Sequence, residues 1–296
     1  MSATGSPSPA GATPASPGRK RVAMVIGAGS VKCAAAIGVQ KALAREGIGI
    51  DLFVGCSAGA IFASIMAAGM DPVQAAAMTQ RLWTREITSK RNTRALLSAL
   101  FPGLFGFSAE WGMRDDRLIM ARLNEVFGDK RIEDLPVPLH ITATDFANGE
   151  QVVFSKGPLK DAIRASIALP FIFKPWRAGG RLCIDGFLSD PMPVGVAMRE
   201  NAGVILAVGF ESPNQRNVNS PARFAFQLSS IMTNNLFKSA FAFHQLAHHD
   251  EVIPVVPQFT ERVGLFDTAK IGYVIEEGER AAAEQIPYLR RLLGMG

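Results

Sequence analysis

The chain has 296 residues, of which 48% are hydrophobic and 19% charged, and its formal net charge is +5. This length is enough to bury the core of one α/β domain, and no linker-like stretch divides the sequence after residue 20, so we predict a single domain over residues 20–296. The positive charges are dispersed, without the basic stripe and interleaved aromatic residues of a nucleic-acid binder, which argues against nucleic acid as a partner.

The cysteines and histidines exclude two other classes of site. Three cysteines are too few and odd in number for a disulfide framework, which favours a reducing compartment, and we expect a cytoplasmic protein. Each stands beside a motif, as a small buried residue would: Cys33, Cys56 and Cys183. The four histidines lack carboxylates or cysteines at metal-ligand spacing, so we predict neither a metal site nor a cofactor.

The N-terminal residues 1–19 are almost wholly Ser, Ala, Thr, Gly and Pro. Because such a segment cannot bury enough apolar surface to offset its ordering entropy, we predict a disordered tail. It lacks the apolar centre of a signal peptide. The longest apolar run, from Ala58 to Met70, is shorter than the roughly 20 residues that cross a bilayer. A soluble or peripheral protein is therefore expected.

The first predicted strand, residues 21–27, leads into the glycine loop Gly27-Ala28-Gly29-Ser30-Val31-Lys32 and then a helix over residues 34–46. The N–H groups of such a loop can bind an anion. One interpretation is a dinucleotide phosphate loop, but the third glycine of that fingerprint is absent and the next strand leads to a serine. The other is an oxyanion hole, with donors on Gly29, Ser30 and Val31.

The second predicted strand, residues 50–54, is followed by Gly55-Cys56-Ser57-Ala58-Gly59 and a helix of small residues. This order is typical of a nucleophile elbow. So sharp a turn crowds the positions two before and two after the serine, and both are glycine. Ser57 is then exposed at a helix N-terminus, whose free N–H groups favour negative charge. We predict Ser57 as the nucleophile.

A third motif, Leu182-Cys183-Ile184-Asp185-Gly186, is a short apolar strand that ends in an acid and a glycine. A carboxylate at the edge of an apolar strand loses hydration unless a partner compensates. Asp-Gly is also a common turn pair, so Asp185 has a structural interpretation beside a catalytic one. In the catalytic interpretation, Asp185 accepts the proton of Ser57.

The coarse pattern predicts a three-layer α/β/α sandwich with a mixed, mainly parallel sheet. A hairpin at Asn148-Gly149 makes the sheet mixed. Residues 71–134 are predicted to be a helical excursion that shapes the entrance to the site. Helices alternate with strands predicted near residues 21–27, 50–54, 138–144, 151–155, 182–184, 203–210 and 251–256.

Aromatic and apolar segments suggest where an acyl chain binds, although core packing is the safer assumption for any single phenylalanine. Residues 221–249 have apolar side chains at helical spacing, so this region is expected either to cover a pocket or to rest on a lipid surface. The candidate acyl-site segments are residues 100–107, residues 169–176, and Phe224, Phe226, Phe237, Phe241 and Phe243.

Taken in order, these motifs resemble those of the patatin-like phospholipases, lipolytic acyl hydrolases that use a Ser-Asp dyad. The glycine loop with Lys32 resembles the family's oxyanion loop, and Gly55 to Gly59 its nucleophile motif. Residues 165–175 are similar to its Ala-Ser apolar block, and Asp185-Gly186 to its Asp-Gly motif. The resemblance covers nearly everything after residue 20.

The resemblance implies a patatin-like fold and hydrolysis of lipid carboxylic esters, of phospholipase A or carboxylesterase type, without a cofactor. It implies Ser57 and Asp185 as the catalytic dyad, with an oxyanion hole on Gly29, Ser30 and Val31. Lipid or ester substrates and peripheral membrane contact are the partners to expect. Lys32 is interpreted either as a surface cation at the start of a helix or as a loop-fixing residue near an anionic substrate, and we favour structural support. The other motif residues are Gly27, Gly55, Gly59 and Gly186.

Two alternatives stay open, and the first of them follows from departures from the family pattern. Cys33 replaces a glycine, Phe187 a small residue, and Pro191 stands where an Asn is usual. An inactive lipid-binding protein of the same fold is therefore one alternative. A Ser-His-Asp esterase of the α/β-hydrolase fold is another, although its nucleophile would follow only the second predicted strand. Its histidine would be one of His244, His248 and His249.

Overall fold

The computed structural model describes residues 19–82, 108–210, 230–239, 251–264 and 267–295, with single positions between 84 and 104 and between 218 and 228. Several predictions fall outside these residues. They concern the tail before Arg19, most of residues 100–107, and Phe226, Phe241, Phe243, His244, His248 and His249.

The centre of the fold is one eight-stranded sheet. Strands β3, β2, β1, β7 and β8 run parallel in that spatial order. Strands β4 and β6 pair antiparallel with β3, and β5 pairs antiparallel with β6. The strand bounds are β1 Val22–Ile26, β2 Leu52–Cys56, β3 Leu139–Asp145, β4 Gln151–Phe154, β5 Trp176–Ala178, β6 Arg181–Asp185, β7 Val204–Val208 and β8 Glu251–Val255.

Seven helices in the described residues have complete bounds, and residues 230–239 are also helical. Short 3-10 turns precede or connect several of them, at Ser30–Ala34, Ile132–Asp134, Gly186–Leu188 and Thr268–Lys270. The helix bounds are α1 Ala35–Arg45, α2 Ala58–Ala67, α3 Pro72–Leu82, α4 Arg117–Phe127, α5 Leu159–Ser166, α6 Val194–Arg199 and α7 Ile271–Leu292.

Alternating side chains of the central strands bury both faces of the sheet. On β1, Met24 and Ile26 belong to the larger core with α1, α2 and α7. Ala23 and Val25 belong to a smaller core with α6. Parallel strands buried on both faces are almost continuously apolar, as Val22–Ile26 is. The predicted α/β sandwich is confirmed.

Two strand predictions need correction. The sequence-based reading missed β5, which forms a hairpin with β6 through Gly179 and Gly180, both with positive φ. A Gly-Gly pair between two short runs is the signal that would have found it. Strand β2 also runs two residues further than predicted, to Cys56, because Gly55 continues the strand and the turn begins only at Ser57.

Candidate active site

Ser57 is the entire connection between β2 and α2. Strand β2 ends at Cys56 and helix α2 begins at Ala58, so the chain reverses within one residue. Ser57 has φ 55° and ψ −128°, a conformation that residues with a Cβ rarely adopt and that clusters at functional sites. A Cβ at Gly55 would come within 2.5 Å of Ala60 Cα, so the turn tolerates no side chain there.

The register of β3 places Asp185 beside Ser57. Cys56 is aligned with Thr142, and Asp185 is aligned with the next residue, Ala143. Thr142 and Ala143 both also pair with β4, so β4 occupies one edge of β3 while β2 and then β6 share the other. Along β3, the pairing with β6 therefore begins one residue after the pairing with β2 ends. Two residues 128 positions apart meet at this point.

The Ser57 hydroxyl donates a hydrogen bond of 2.8 Å to Asp185 Oδ2. The other carboxylate oxygen, Oδ1, accepts the Phe187 N–H at 3.1 Å. The Asp185 N–H donates to Ala168 O at 3.1 Å, and the Thr144 hydroxyl donates to Asp185 O at 2.9 Å. The backbone of Asp185 and its carboxyl group are therefore both held, with one carboxylate oxygen directed at the serine.

Asp185 is 1% exposed. Burial raises the pKa of its carboxyl group from 3.8 to about 7, and the hydrogen bonds from Phe187 and Ser57 only partly oppose this rise. No cation is among the causes of the shift. A carboxylate with a pKa this high is a much stronger base than an exposed aspartate, so it is suited to accept a proton near neutral pH.

Sequence reasoning assigned no role to Ser166, the last residue of α5. Its hydroxyl oxygen accepts the Ser57 N–H at 2.8 Å, and its side chain is fully buried. This contact secures the backbone of the strained turn at Ser57. The Ala165-Ser166 pair was noted as part of a motif in the sequence, but only the structure shows that the Ser166 hydroxyl binds the Ser57 N–H.

The glycine loop after β1 lies against the same turn. A Cβ at Gly59, in the first turn of α2, would come within 2.3 Å of Ile26 O and 2.7 Å of Gly27 O. The end of β1 and the start of α2 are therefore in backbone contact. The arrangement brings the two predicted β-α turns together at the carboxyl edge of the parallel strands.

Two N–H groups of the loop are already used within the protein. The Gly27 N–H donates to Val208 O at 3.0 Å, and the Ala28 N–H donates to Pro191 O at 2.9 Å. The predicted oxyanion donors, Gly29, Ser30 and Val31, follow these two residues in the loop. Ser30 has φ 58° and opens a 3-10 turn, which redirects the chain immediately after Gly29.

The three departures from the family pattern are accommodated locally. Cys33 is buried within the 3-10 turn and its thiol donates to Gly27 O at 3.3 Å, so it reinforces the loop. Phe187 supplies the N–H that binds Asp185, and Pro191 supplies the carbonyl that binds Ala28. Backbone groups perform both tasks. The Lys32 ammonium lies 5.4 Å from the centre of the Phe259 ring, a contact that fits support of the loop.

The aromatic segment at residues 169–176 divides between core and surface. Phe173 and Trp176 pack on the fully buried guanidinium of Arg164, and Phe173 is itself buried in the core. Phe171 is 52% exposed, has φ 67°, and meets the Trp111 ring edge-on with centroids 6.5 Å apart. Phe171 is the most exposed residue of this segment.

The described residues also allow the histidine, metal-site and membrane-span predictions to be examined. His140 lies on β3 with its Nε2 atom 3.6 Å from Glu200, and burial lowers the pKa of its imidazole. Within the described ranges, no group of three His, Cys, Asp or Glu side chains is placed to hold a metal ion. None of the helices described is both long enough and apolar enough to cross a membrane.

Several known proteins are similar to this chain. An uncharacterized NTE family protein of Mycobacterium bovis is 36% identical over 188 residues, which cover 64% of this chain and 48% of the relative. Patatin-like phospholipase domain-containing protein 7 of Rattus norvegicus is 27% identical over 67% of this chain and 14% of its own length. The crystal structure of VipD from Legionella pneumophila matches with a TM-score of 0.48 and 16% identity, over 92% of this chain and 67% of that one.

The chain spans about half the length of the mycobacterial relative. The family model described as patatin-like phospholipase matches residues 24–198. This range is more than half of the chain, and it contains the glycine loop, the turn at Ser57 and the Asp185-Gly186 pair. The chain belongs to the patatin-like phospholipase family.

Proposed function

We propose that this protein is a serine acyl hydrolase that cleaves carboxylic esters of lipids. The observation that carries the proposal is the 2.8 Å hydrogen bond from the Ser57 hydroxyl to the buried Asp185 carboxylate. A nucleophile and a base within hydrogen-bonding distance, beside a loop of backbone donors, form the arrangement that acyl transfer requires. Membership of a phospholipase family makes lipids the substrate class, and we infer peripheral contact with a lipid surface.

In the proposed mechanism, Ser57 Oγ attacks the ester carbonyl carbon while Asp185 Oδ2 takes the hydroxyl proton. The N–H groups of Gly29, Ser30 and Val31 stabilise the negative charge that develops on the carbonyl oxygen. The alcohol leaves with a proton from Asp185, and an acyl group remains on Ser57. Asp185 then takes a proton from the water that attacks the acyl carbon, and it returns this proton to Ser57 Oγ as the bond between Ser57 and the fatty acid breaks.

The remaining contacts explain why the proposed dyad needs no histidine as its base. In a triad, the acid orients the histidine, which takes the proton. Here the Phe187 N–H binds the carboxylate directly, the Ala168 carbonyl holds the Asp185 backbone N–H, and burial supplies the basicity that an exposed aspartate lacks. Ser166 fixes the backbone of the nucleophile from the other side.

Labelling with a fluorophosphonate probe tests the proposal. We expect the unaltered chain to be labelled and Ser57→Ala to be unlabelled, because the probe reacts with an activated serine hydroxyl. Release of fatty acid from a panel of phospholipid, lysophospholipid, glyceride and short carboxylic esters then identifies the substrate. The matched control is Ser64→Ala, since the buried Ser64 hydroxyl donates only to Ala60 O of its own helix.

Absence of labelling that depends on Ser57 would remove the hydrolase proposal and favour a lipid-binding protein without activity. Labelling and turnover that survive Asp185→Asn, but disappear when His244, His248 or His249 is replaced, would instead identify a Ser-His-Asp esterase. The two alternatives to the dyad therefore give different results in the same assay.

The pH dependence of hydrolysis is a further prediction. Because Asp185 must be ionised to accept the proton and burial raises its pKa to about 7, kcat/KM for a soluble ester should rise with pH. We expect about a tenfold gain per pH unit below 6 and a plateau above 8. Initial rates with p-nitrophenyl butyrate between pH 5 and 9 measure this profile. A midpoint near 4, the ordinary aspartate value, would show that Asp185 is not the buried base.

A further inference from the structure

Arg164, in the last turn of α5, is the largest fully buried side chain among the described residues. Its Nη2 atom donates to Asp116 Oδ2 and to Lys174 O, both at 3.1 Å. The guanidinium carbon lies 5.1 Å from the centre of the Phe173 ring and 5.0 Å from the Trp176 ring. Within the described part of the chain, the Nε and Nη1 atoms have no hydrogen-bond partner. The proposed mechanism gives this buried cation no task.

The contacts of Arg164 are not those of an ion pair that contributes much stability. A buried charge loses its hydration, and an ion pair repays this loss only when further hydrogen bonds satisfy the remaining donors. Burial lowers the pKa of the Arg164 guanidinium, and the nearby Asp116 carboxylate only partly opposes this change. Well-packed apolar residues in place of such a pair often leave stability unchanged or raise it. The benefit of Arg164 is therefore to be found in the geometry that it fixes.

Arg164 joins the two ends of one loop. Residues 167–174, which we call the α5 loop, follow this helix directly. Arg164 stands just before the loop, and it binds the carbonyl group of Lys174 at the end of the loop. Its other acceptor, Asp116, belongs to a segment that lies against the loop, because a Cβ at Gly112 would come within 2.3 Å of Lys174 N. The guanidinium therefore closes the loop onto its own helix.

The α5 loop is strained between these two ends. Phe171 has φ 67°, in the region that favours glycine, and a bulky residue is an outlier there. The Met113 N–H donates to Phe171 O at 3.0 Å, so the neighbouring segment also binds the strained residue. Such a conformation persists only where the surrounding structure constrains it. The hydrogen bond from Arg164 to Lys174 O supplies a constraint at one end of the loop.

The end of α5 and the start of the α5 loop hold both residues of the proposed dyad. Ser166 comes soon after Arg164, and its hydroxyl oxygen accepts the Ser57 N–H at 2.8 Å. Ala168 lies at the start of the loop, and its carbonyl oxygen accepts the Asp185 N–H at 3.1 Å. These two acceptors belong to one short stretch of chain. A shift or an opening of the α5 loop would therefore move them together.

We propose that Arg164 is a positioning residue for the proposed hydrolysis. It keeps the α5 loop closed against α5, and the two acceptors that follow it then hold the backbones of Ser57 and Asp185 in place. A small displacement of either residue lengthens the bond across which the proton transfers, and this slows the reaction. Arg164 acts through the loop and not on the substrate. The proposal rests on the proposed function, because these two backbone positions matter to catalysis only if the dyad reacts.

A matched pair of double variants tests this role. Arg164→Met with Asp116→Asn removes the buried ion pair and keeps similar side-chain volumes, so the fold should persist. Lys160→Met with Asp129→Asn makes the same charge changes at another ion pair of α5, whose Nζ and Oδ1 atoms are 3.0 Å apart. The Lys160 ammonium binds Asp129 and Asn124, beyond the other end of the helix, so this control leaves the contacts of Arg164 intact.

Amide hydrogen exchange followed by NMR measures the two positions directly and needs no activity. In the protein with Arg164→Met and Asp116→Asn, we expect the Ser57 and Asp185 amides to exchange about tenfold faster than in the unaltered chain, because their acceptors move away. The amides of β1 should change by less than about twofold, and the control protein should match the unaltered chain at all these positions. Equal acceleration of every amide would indicate a merely structural ion pair. That result, or unchanged exchange at Ser57 and Asp185, would overturn the proposal.

Arg164→Lys keeps the experiment decisive if the double variant does not fold. The ammonium group retains the charge but lacks the planar fork that binds two acceptors in fixed directions. We expect the Ser57 and Asp185 amides to exchange about threefold faster in this variant, again without a change in β1. Exchange equal to that of the unaltered chain would overturn the proposal.

Kinetics with p-nitrophenyl butyrate give the catalytic consequence. With active sites counted by fluorophosphonate labelling, we expect kcat per site to fall about 10- to 100-fold in the protein with Arg164→Met and Asp116→Asn, and KM to stay within about threefold. A structural defect would lower the number of labelled sites instead, and unchanged kcat per site would overturn the role in catalysis. If the unaltered chain shows neither labelling nor hydrolysis, the proposed function fails, and hydrogen exchange still decides whether Arg164 positions Ser57 and Asp185.

Discussion

Asp185→Asn is expected to lower kcat/KM for ester hydrolysis by 10²- to 10⁴-fold while making the protein more stable at pH 8. The amide keeps the shape of the carboxyl group and an oxygen for the Phe187 N–H, so the turn at Ser57 should persist. It cannot take the proton of Ser57 at neutral pH. The activity falls because the base is lost and not because the site unfolds.

The gain in stability follows from the raised pKa of Asp185. A carboxyl group with a folded pKa of about 7 and an ordinary value of 3.8 binds its proton more tightly in the folded state. The stability that this protonation supplies is fully present below pH 3.8 and is lost as the pH rises through 7. At pH 8 the loss amounts to about 4 kcal/mol, part of which an uncharged Asn avoids. We expect a net increase of about 1 to 3 kcal/mol in the free energy of unfolding.

Urea unfolding of both proteins between pH 4 and 9 measures this difference, which should widen up to about pH 7 and then level off. Asp190→Asn is the matched control, because burial also raises the pKa of Asp190 but its carboxylate binds the Met192 N–H and the Gln151 amide. That variant should share the direction of the stability change and keep its activity. A less stable Asp185→Asn protein at pH 8 would contradict the buried, high-pKa state of Asp185.

The order of motifs along the sequence was enough to predict the sandwich and to select Ser57 and Asp185 as a pair. Strand periodicity and the glycines around Ser57 are local patterns, and such patterns predict the structure of the segment in which they lie. The pairing itself is not local. Along β3, the pairing with β2 ends at Thr142 and the pairing with β6 begins at the next residue, Ala143. No spacing in the sequence encodes this change of partner strand.

Some contacts of the candidate site could not be predicted from the sequence because backbone groups make them. Phe187 and Pro191 look like departures from a motif, yet the Phe187 N–H and the Pro191 carbonyl are what the site uses. Any residue with a free N–H can provide the first of these, so side-chain identity carries no signal. Ser166 is similar, because its hydroxyl is informative only once the Ser57 N–H is known to lie beside it.

Gly59→Ala is expected to lower both stability and activity. Because Gly59 has no side chain, helix α2 can contact the backbone at the end of β1. An added methyl group would lie 2.3 Å from Ile26 O and 2.7 Å from Gly27 O, and both are backbone atoms that no rotamer change can move. The helix α2 must then shift away from β1. We expect a loss of about 2 to 3 kcal/mol in the free energy of unfolding.

The same shift would separate Ser57 from the proposed oxyanion donors, Gly29, Ser30 and Val31, and a displacement near 1 Å can cost about 10²-fold in rate. Urea unfolding and esterase kinetics at a temperature where the variant stays folded give the two quantities separately. Gly272→Ala is the matched control, since a Cβ there meets nothing within 4 Å and Gly272 lies inside α7. That variant should gain about 0.5 to 1 kcal/mol and keep full activity. If Gly59→Ala behaved like Gly272→Ala, the backbone contact between α2 and the glycine loop would be wrong, and with it the placement of the oxyanion donors beside Ser57.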